Sequence, residues 1–323
     1  MIKKLVFSYV FLISFSLVSQ EVITDLAHNP YLNNFKFTYN NSNSSLSLPF
    51  IDDFSYDSYI VSTDLWQYST VYVNRTYPIN PPTIGVITFD GLDENGFARD
   101  FSSNSSEPSD TLLSKNIDLS TVSSAYFLFF YQAKGLGDAP ESLDKLILEF
   151  KNDSAEWETV WVSEDTISDD FTKVVNVINQ TRFLFDQFQF RFVNYATVSG
   201  NFDHWHVDYV KIDELQSVAD TSQLNDASFV YSSPSFLKRY QEMPWSHFLN
   251  NEADELKDSI DILLRNNDAA SNIDYQFNVF NNGNQIYHYP SIGVSRNVTV
   301  LDYYQIGNFS FADPPILIQS NIF

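Results

Sequence analysis

The sequence predicts an all-β protein, and three observations support this fold class. Aromatic residues make up 16% of the 323 residues, with 29 Phe and 19 Tyr, whereas Gly is limited to 9. Aromatic and β-branched residues are enriched in strands because they fit a pleated, half-buried surface. Segments in which apolar and polar residues alternate recur along the chain, with polar turn residues between them. We therefore expect sheets stacked into sandwiches.

The strongest strand signals lie in the middle of the chain. Tyr126 to Tyr131 is a continuous apolar run, which is typical of a strand buried on both faces. The runs 146–150 and 157–161 flank a polar turn and predict a hairpin. Phe188 to Phe192 alternates strictly between Phe and polar residues, and Trp205 to Ile212 is predicted to alternate in the same way.

The last third of the chain predicts a second, smaller β unit. Residues 215–226 are rich in Ser, Asp, Thr, Gln and Asn, and this shift in composition predicts a linker. Asn282-Gly283 lies between two strand-like runs, and this dipeptide is typical of a tight hairpin turn. A small sandwich of the immunoglobulin or fibronectin type therefore fits residues 227–323. Pro234 to Tyr240 is the only helix that the pattern suggests there.

The N-terminus has the pattern of an export signal. Lys3 and Lys4 precede an apolar run from Leu5 to Val18, which is too short for a membrane span of roughly 20 residues. We therefore predict a signal peptide at residues 1–19 and a polar lead-in at residues 20–47. No later segment has the apolar length of a transmembrane helix, so we expect none after signal removal.

The C-terminal residues, the absence of Cys and the net charge add three further expectations. The chain ends in the apolar sequence Asn321-Ile322-Phe323, from which we expect it to be a piece of a longer protein. With no Cys there are no disulfides, so an exported domain of this kind depends on a large core. The net charge of −23 argues against nucleic acid or an anionic membrane as partner, since both attract basic surfaces.

Three motifs between residues 48 and 214 carry a resemblance to a known domain family. They are Leu48 to Phe54, Gly85 to Asp93, and the stretch from Phe190 to Val210. Their order resembles the MAM-like, concanavalin-A-like jelly-roll domain of large secreted proteins of Bacteroidetes, although Tyr209 stands where that family often has a second acid. The resemblance covers about half of the chain. It implies a jelly-roll β-sandwich at residues 48–214 and export as cargo of the type IX secretion system.

The same resemblance implies a structural calcium ion that ties the first strand of the domain to the last. The matching acids are Asp53 after the first motif, Asp90 and Asp93 in a Gly-containing loop, and Asp208 in the last strand. Hard cations such as Ca²⁺ take carboxylate and carbonyl oxygens from several segments. The alternative is that these acids cap turns or pair with Lys and Arg.

The sequence gives little support for zinc binding or for catalysis. His204 and His206 share one strand face and could bind zinc, but no third or fourth ligand is evident, and a structural role is the alternative that we favour. The sequence contains neither a Gly-x-Ser-x-Gly elbow nor a His-Glu-x-x-His helix. We therefore expect no catalytic residues and no enzyme activity.

Carbohydrate binding requires exposed aromatic rings. The five tryptophans are Trp66, Trp157, Trp161, Trp205 and Trp245, and on a regular strand Trp157 and Trp161 would share one face. Filling the sandwich core is the competing role and the one favoured by the sequence. The overall expectation is a secreted or cell-surface interaction or adhesion protein with glycans or surface proteins as partners. The alternatives are an accessory binding module of a larger secreted hydrolase and a structural spacer.

Overall fold

The computed structural model describes residues 44–164, 167–217, 219–222, 224, 226–257, 261–267, 271–281, 283–298 and 303–308. The predicted signal peptide at residues 1–19 and all but the end of the predicted lead-in lie outside these residues. The same holds for the end of the predicted second β unit, from residue 309 onward.

Eleven strands form two antiparallel sheets between Phe50 and Glu214. The six-stranded sheet has the order β3 (Tyr72–Asn74), β4 (Val86–Phe89), β11 (Trp205–Glu214), β6 (Ala125–Ala133) and β9 (Thr172–Ile178), and β1 (Phe50–Asp52) also pairs with β11. The five-stranded sheet has the order β2 (Trp66–Ser69), β5 (Ser106–Ser114), β10 (Phe190–Thr197), β7 (Lys145–Lys151) and β8 (Trp157–Val162). A 3₁₀ turn at Thr181–Phe183 lies between β9 and β10. The predicted all-β jelly-roll sandwich is confirmed.

The core of the sandwich consists mainly of aromatic rings from both sheets. Phe127 of β6 and Phe190 of β10 meet edge to face, with 4.6 Å between ring centroids. Phe50 of β1 and Trp66 of β2 contact the same Phe190 ring at 5.4 and 5.5 Å. Such edge-to-face pairs add to the free energy gained by burying apolar area. Dense aromatic packing of this kind is how a domain without disulfides fills a large interior.

Several strand predictions are confirmed, and one about burial is wrong. Every residue of β6 is buried, as its continuous apolar run predicts. The hairpin of β7 and β8 forms as expected. Alternation of burial along β11 is not observed, because Trp205 to Val210 are all buried. Chain segments cover the outer face of this sheet, and Tyr209 adopts a left-handed φ of 54° where the strand register shifts.

The chain after β11 forms short helices, a three-stranded sheet and a hairpin. The helices are α1 (Ala219–Ser222), α2 (Trp245–Phe248) and α3 (Glu252–Glu255). The sheet has the order β12 (Ala227–Phe229), β13 (Asp261–Asn266) and β16 (Tyr303–Asn308). The predicted hairpin is observed: β14 (Ser271–Asn281) pairs with β15 (Asn284–Val298), and Asn281 lies opposite Asn284. An immunoglobulin-like or fibronectin-like sandwich at residues 227–323 stays a prediction.

The helix expected at Pro234 to Tyr240 is wrong. The hydroxyl of Ser235 accepts the backbone N–H of Leu237 and donates to the carbonyl of Tyr240, and these local bonds compete with helical ones. Leu237 instead forms a β-bridge with Leu256. Within the described part of the chain, no helix has the length and apolar character that crossing a bilayer requires.

Candidate ligand-binding face and cation sites

The outer face of the five-stranded sheet carries many side chains that are half-buried or exposed, although Ile147, Gln189 and Val193 on it are buried. On β10, Phe190 and Phe192 point into the core, so Arg191 and Tyr195 point outward. The register of the sheet places outward residues of the other strands beside them. We call this surface the open face, and it comprises Gln67, Tyr68, Thr111, Leu113, Lys145, Ile147, Glu149, Lys151, Trp157, Thr159, Gln189, Arg191, Val193 and Tyr195.

A β-bulge in the edge strand β8 separates the two tryptophans that a regular strand would put on one face. Leu148 is paired with Trp161 and Glu149 with Thr159, so β8 carries one extra residue between these pairs. Trp161 consequently turns inward, against Phe129 at a centroid distance of 5.0 Å. Trp157 lies on the open face. The assumption of a regular strand was wrong, because single-strand periodicity does not show a bulge.

Trp157 is held in place by a cation and lies next to a polar network. The guanidinium of Arg191 stacks over the indole ring at 4.3 Å from the centroid. The Nε of Arg191 donates to Oε2 of Glu149 at 2.6 Å. This ion pair is only partly exposed, with side-chain exposures of 32% for Arg191 and 13% for Glu149. The arrangement fixes the ring and leaves oxygen and nitrogen atoms at its edge.

A second chain of hydrogen bonds runs across the open face toward β2. Lys151 Nζ donates to Oε1 of Gln189 at 3.1 Å, and Gln189 Nε2 donates to Oε1 of Gln67 at 2.6 Å. Tyr68, which follows Gln67, keeps 40% of its surface exposed. The open face therefore combines aromatic rings with planar amide, guanidinium and carboxylate groups, each of which can exchange hydrogen bonds with a hydroxyl-rich ligand.

Two of the other tryptophans fill the sandwich core, which is the role that the sequence favoured. Trp66 and Trp205 are 3% and 1% exposed and belong to the sandwich core. Trp245 is 45% exposed, but it begins α2 and lies outside both sheets of the sandwich. The open face therefore has one tryptophan, Trp157, together with Tyr68 and Tyr195.

Two of the four predicted calcium ligands come together, and we call this place the Asp208 site. The carboxylate of Asp208 is fully buried and accepts the N–H of Thr83 at 2.9 Å and of Tyr209 at 2.6 Å. The Thr83 hydroxyl lies 2.7 Å from the carbonyl oxygen of Asp53 and 3.2 Å from each carboxylate oxygen of Asp208. Gly85 lets these segments meet, because a Cβ there would lie 2.4 Å from the carbonyl oxygen of Phe54.

The charge at the Asp208 site lacks a basic partner. Burial raises the pKa of Asp208 well above its usual range, despite the hydrogen bonds from Thr83 and Tyr209. No ion pair of the described residues involves Asp208. Asp208, the Thr83 hydroxyl and the Asp53 carbonyl present oxygen atoms that suit a hard cation. The Asp53 carboxylate itself caps the turn at Ser55.

Asp90 and Asp93 lie in other surroundings. Asp110 accepts the backbone N–H groups of Asp90 and Gly91, and it pairs with Arg99 at 3.2 Å. Burial, and then the nearby Asp110 charge, raise the pKa of Asp90 to about 7. Asp93 accepts the N–H groups of two residues in its own loop, at 2.9 and 2.8 Å. Turn capping therefore describes Asp93 well, and the four acids do not form a single ligand set.

The two histidines of β11 have defined structural partners. His206 is fully buried, and its ring nitrogens lie 3.0 Å from the Thr88 hydroxyl and 3.2 Å from the Lys134 carbonyl. His204 accepts the N–H of Asp138 at 3.0 Å and stacks on Tyr77. Among the described residues, the one cluster of three or more metal-ligating side chains contains neither histidine. Their arrangement is that of core side chains.

That cluster consists of Glu141, Asp144 and Asp203, whose ligand atoms all lie within 4.8 Å of one another. We call it the acidic triad. The sequence analysis missed it, because Glu141 and Asp144 precede β7 while Asp203 precedes β11. Only the pairing of distant strands brings these two loops together. No local spacing in the sequence indicates this contact.

No protein-family model and no curated protein matches the chain. Solved structures similar to it include the CBM22-1 xylan-binding domain of Paenibacillus barcinonensis Xyn10C, at 9% identity over 52% of this chain and 95% of that one, with a TM-score of 0.32. The C-terminal family 22 carbohydrate-binding module of Clostridium thermocellum Xyn10B is 8% identical over 52% and 95%, with a TM-score of 0.33. TmCBM61 in complex with β-1,4-galactotriose is 12% identical over 46% and 88%, with a TM-score of 0.31. Similarity this low transfers no function to this chain.

Proposed function

We propose that the β-sandwich is a non-catalytic glycan-binding module and that the open face is its binding surface. The observation that carries this proposal is the Trp157 ring, held by Arg191 on the outside of a sheet and bordered by a polar network. A flat apolar ring with fixed hydrogen-bonding groups around it matches the two-sided chemistry of a sugar, which has C–H faces and hydroxyl edges. Sites of this kind combine aromatic area with a few oriented polar groups.

The dimensions of the open face favour an oligosaccharide over a single sugar. Tyr68 on β2 and Trp157 on β8 belong to opposite edge strands of the five-stranded sheet. With neighbouring strands roughly 4.8 Å apart, the two strands are separated by roughly 19 Å. A ligand that contacts both rings therefore spans several sugar units and crosses the strands.

The wider role follows from this surface together with the predicted export signal. We propose a secreted or surface-displayed interaction protein that attaches to glycans, including glycans on surface proteins. An accessory module of a larger secreted hydrolase would use the same face, and the sequence beyond this chain separates the two roles. A structural spacer, in contrast, would bind no glycan.

Binding is tested by applying the full chain to an array of plant, animal and microbial glycans. Hits are then measured by calorimetry with Trp157→Ala, Tyr68→Ala and the control Trp245→Ala, which removes an exposed tryptophan outside the sandwich. We expect about tenfold or greater loss of affinity in the first two variants and none in the control. Near-UV circular dichroism checks that each variant is folded. An array without hits, or equal binding by all variants, refutes the proposal.

We also propose that the Asp208 site binds the structural calcium ion implied by the resemblance, with Asp208 and the carbonyl of Asp53 as ligands. Metal-free protein is titrated with Ca²⁺ while its melting temperature is followed. The melting temperature should rise in the wild type, and Asp208→Asn should remove the part of the rise that belongs to this site. An unchanged melting temperature in the wild type rejects the site.

A further inference from the structure

The acidic triad joins two loops at one end of the sandwich. Glu141 and Asp144 belong to the loop between β6 and β7, and Asp203 belongs to the loop between β10 and β11. Asp203 has a left-handed φ of 60°, a conformation uncommon outside Gly, Asn and Asp. Its carboxylate turns inward and accepts the N–H of Thr197 at 2.7 Å. The loops therefore hold three acids together, although like charges repel.

Half of the buried carboxylate oxygens of Asp144 and Asp203 have no hydrogen-bond partner within the described ranges. Asp144 and Asp203 are 4% and 0% exposed. Each uses its Oδ2 to accept a backbone N–H, but Oδ1 of each has no hydrogen-bond partner among the described residues. A buried carboxylate oxygen without a partner is costly, and few such groups remain in native proteins. Two of them side by side indicate a ligand that supplies positive charge.

Among the residues that the structure describes, no basic side chain supplies this charge. None of the ion pairs formed by the described residues includes Glu141, Asp144 or Asp203. A cavity of about 140 Å³ borders the triad and is lined by Glu141, Asp144, Glu164 and Trp205. The buried indole nitrogen of Trp205 has no hydrogen-bond partner in the described part of the chain either, so this cavity has polar groups with unused hydrogen-bonding capacity.

We propose that the acidic triad binds a divalent cation, and that the cation is Ca²⁺. All three side chains offer hard carboxylate oxygens from irregular loops, which is the ligand type and flexibility that Ca²⁺ accepts. Zinc favours imidazole and thiolate nitrogen and sulfur, and the triad has neither. Magnesium requires a near-ideal octahedron and retains most of its water. The ion would connect the loop before β7 to the loop before β11, and this site is separate from the Asp208 site.

The test uses metal-free full chain as wild type, as Asp208→Asn and as the double variant Asp144→Asn with Asp203→Asn. Without metal, the double variant should melt at or above the wild type, because two buried like charges are removed. Added Ca²⁺ should raise the melting temperature of Asp208→Asn, whose only remaining site is the triad. It should raise that of the double variant less than that of the wild type. Failure of the Asp208 site alone leaves this expectation unchanged.

A spectroscopic measurement reports the position of the ion. Tb³⁺, a Ca²⁺ substitute, is added to Asp208→Asn, and its emission is excited through nearby tryptophan. Ca²⁺ should displace the signal, whereas an equal concentration of Mg²⁺ should not. The emission should fall strongly in an Asp208→Asn, Trp205→Phe variant, because Trp205 lines the cavity beside the triad. Glu141→Gln, at an exposed ligand, should weaken Ca²⁺ binding about tenfold without unfolding the chain.

Two results would overturn the proposal. In the first, Ca²⁺ raises the melting temperature of the double variant as much as that of the wild type, so the effect arises elsewhere. In the second, neither Ca²⁺ nor Tb³⁺ affects Asp208→Asn, so the triad binds no cation. If the double variant does not fold, Glu141→Gln provides the comparison with the wild type in its place.

Discussion

The two outer faces of the sandwich differ in what covers them. On the six-stranded sheet, Tyr126, Leu128 and Phe130 of β6 point away from the main core, yet each is at most 1% exposed. They form a second apolar cluster with Phe171, Tyr209 and Leu224. On the five-stranded sheet, the corresponding outward positions form the open face. Two sheets of similar size therefore differ in how far their outward side chains are buried.

The cover over the six-stranded sheet is fixed by polar contacts. Gln132 at the end of β6 accepts the N–H of Ile79 at 2.9 Å and donates to the carbonyls of Ile79 and Asp169 at 2.8 and 2.7 Å. Arg265 and Asn267, from the chain after the sandwich, donate to the carbonyls of Asn80 and Pro82. We call this surface the covered face. The segments that lie over the covered face exclude solvent from it, so its apolar side chains form a second core.

The largest expected effect tests whether the covered face is a second core. Phe130→Ala should lower the free energy of unfolding by about 3–5 kcal/mol, because it removes a ring that is 0% exposed and in contact with Tyr209. Tyr195→Ala on the open face is the matched control and should cost about 1 kcal/mol or less. Urea denaturation measures both. Equal losses would mean that the two faces do not differ in this way.

Acid should weaken the covered face through His206. The Lys134 carbonyl can only accept, so Nε2 carries the proton and Nδ1 accepts from Thr88 in the neutral ring. Burial, reinforced by nearby His204, lowers the pKa of His206 from 6.5 to about 3. The unfolded chain therefore binds a proton that the folded chain does not, and stability present above pH 6.5 is lost as the pH falls toward 3.

This linkage amounts to roughly 3 kcal/mol between about pH 7 and about pH 4. Urea denaturation at several pH values should show a shallower acid dependence for His206→Gln than for the wild type. The chemical shifts of the His206 ring should also show no titration near pH 6.5. A ring that titrates with a pKa near its ordinary value would contradict the expected shift.

The hydrogen bonds from Gln132 to the segments over the six-stranded sheet should contribute almost as much to the free energy of unfolding. Gln132→Leu leaves the N–H and carbonyl of Ile79 and the carbonyl of Asp169 without their partner, so we expect a loss of about 2–3 kcal/mol. Gln67→Leu on the open face should cost about 1 kcal/mol or less, because water can replace its bond. Differential scanning calorimetry compares the two. A neutral Gln132→Leu would show that the cover is held by other contacts.

The smallest expected effect concerns the open face. Glu149→Gln keeps the side-chain shape but removes the charge paired with Arg191, and it should cost about 1 kcal/mol, since the pair is partly exposed. Glu158→Gln, which affects the more exposed pair with Arg182, should lower the free energy of unfolding less than Glu149→Gln does. If Glu149→Gln lowered the free energy of unfolding more than Gln132→Leu does, the ion pair on the open face would be a major contribution to stability.

The sequence predicted the features that depend on neighbouring residues. The apolar run Tyr126 to Tyr131 and the Asn-Gly signal between β14 and β15 act locally, and the buried strand and the hairpin that they predict were both confirmed. The burial of Trp205 to Val210 on both faces was missed, because it depends on segments distant in sequence that lie over the sheet. The side on which Trp157 lies depends on a bulge, and the acidic triad depends on strand pairing. Neither has a local pattern.

The position of β11 determines the order in which the sandwich can be completed. This strand pairs with β1, β4 and β6, so the first strand of the sandwich is hydrogen-bonded to the last. Pairings between such distant segments form slowly, since a long loop must close first. While the chain is being made, the six-stranded sheet lacks its central member until Glu214 has emerged. The sandwich therefore cannot close until nearly all of its residues have been made.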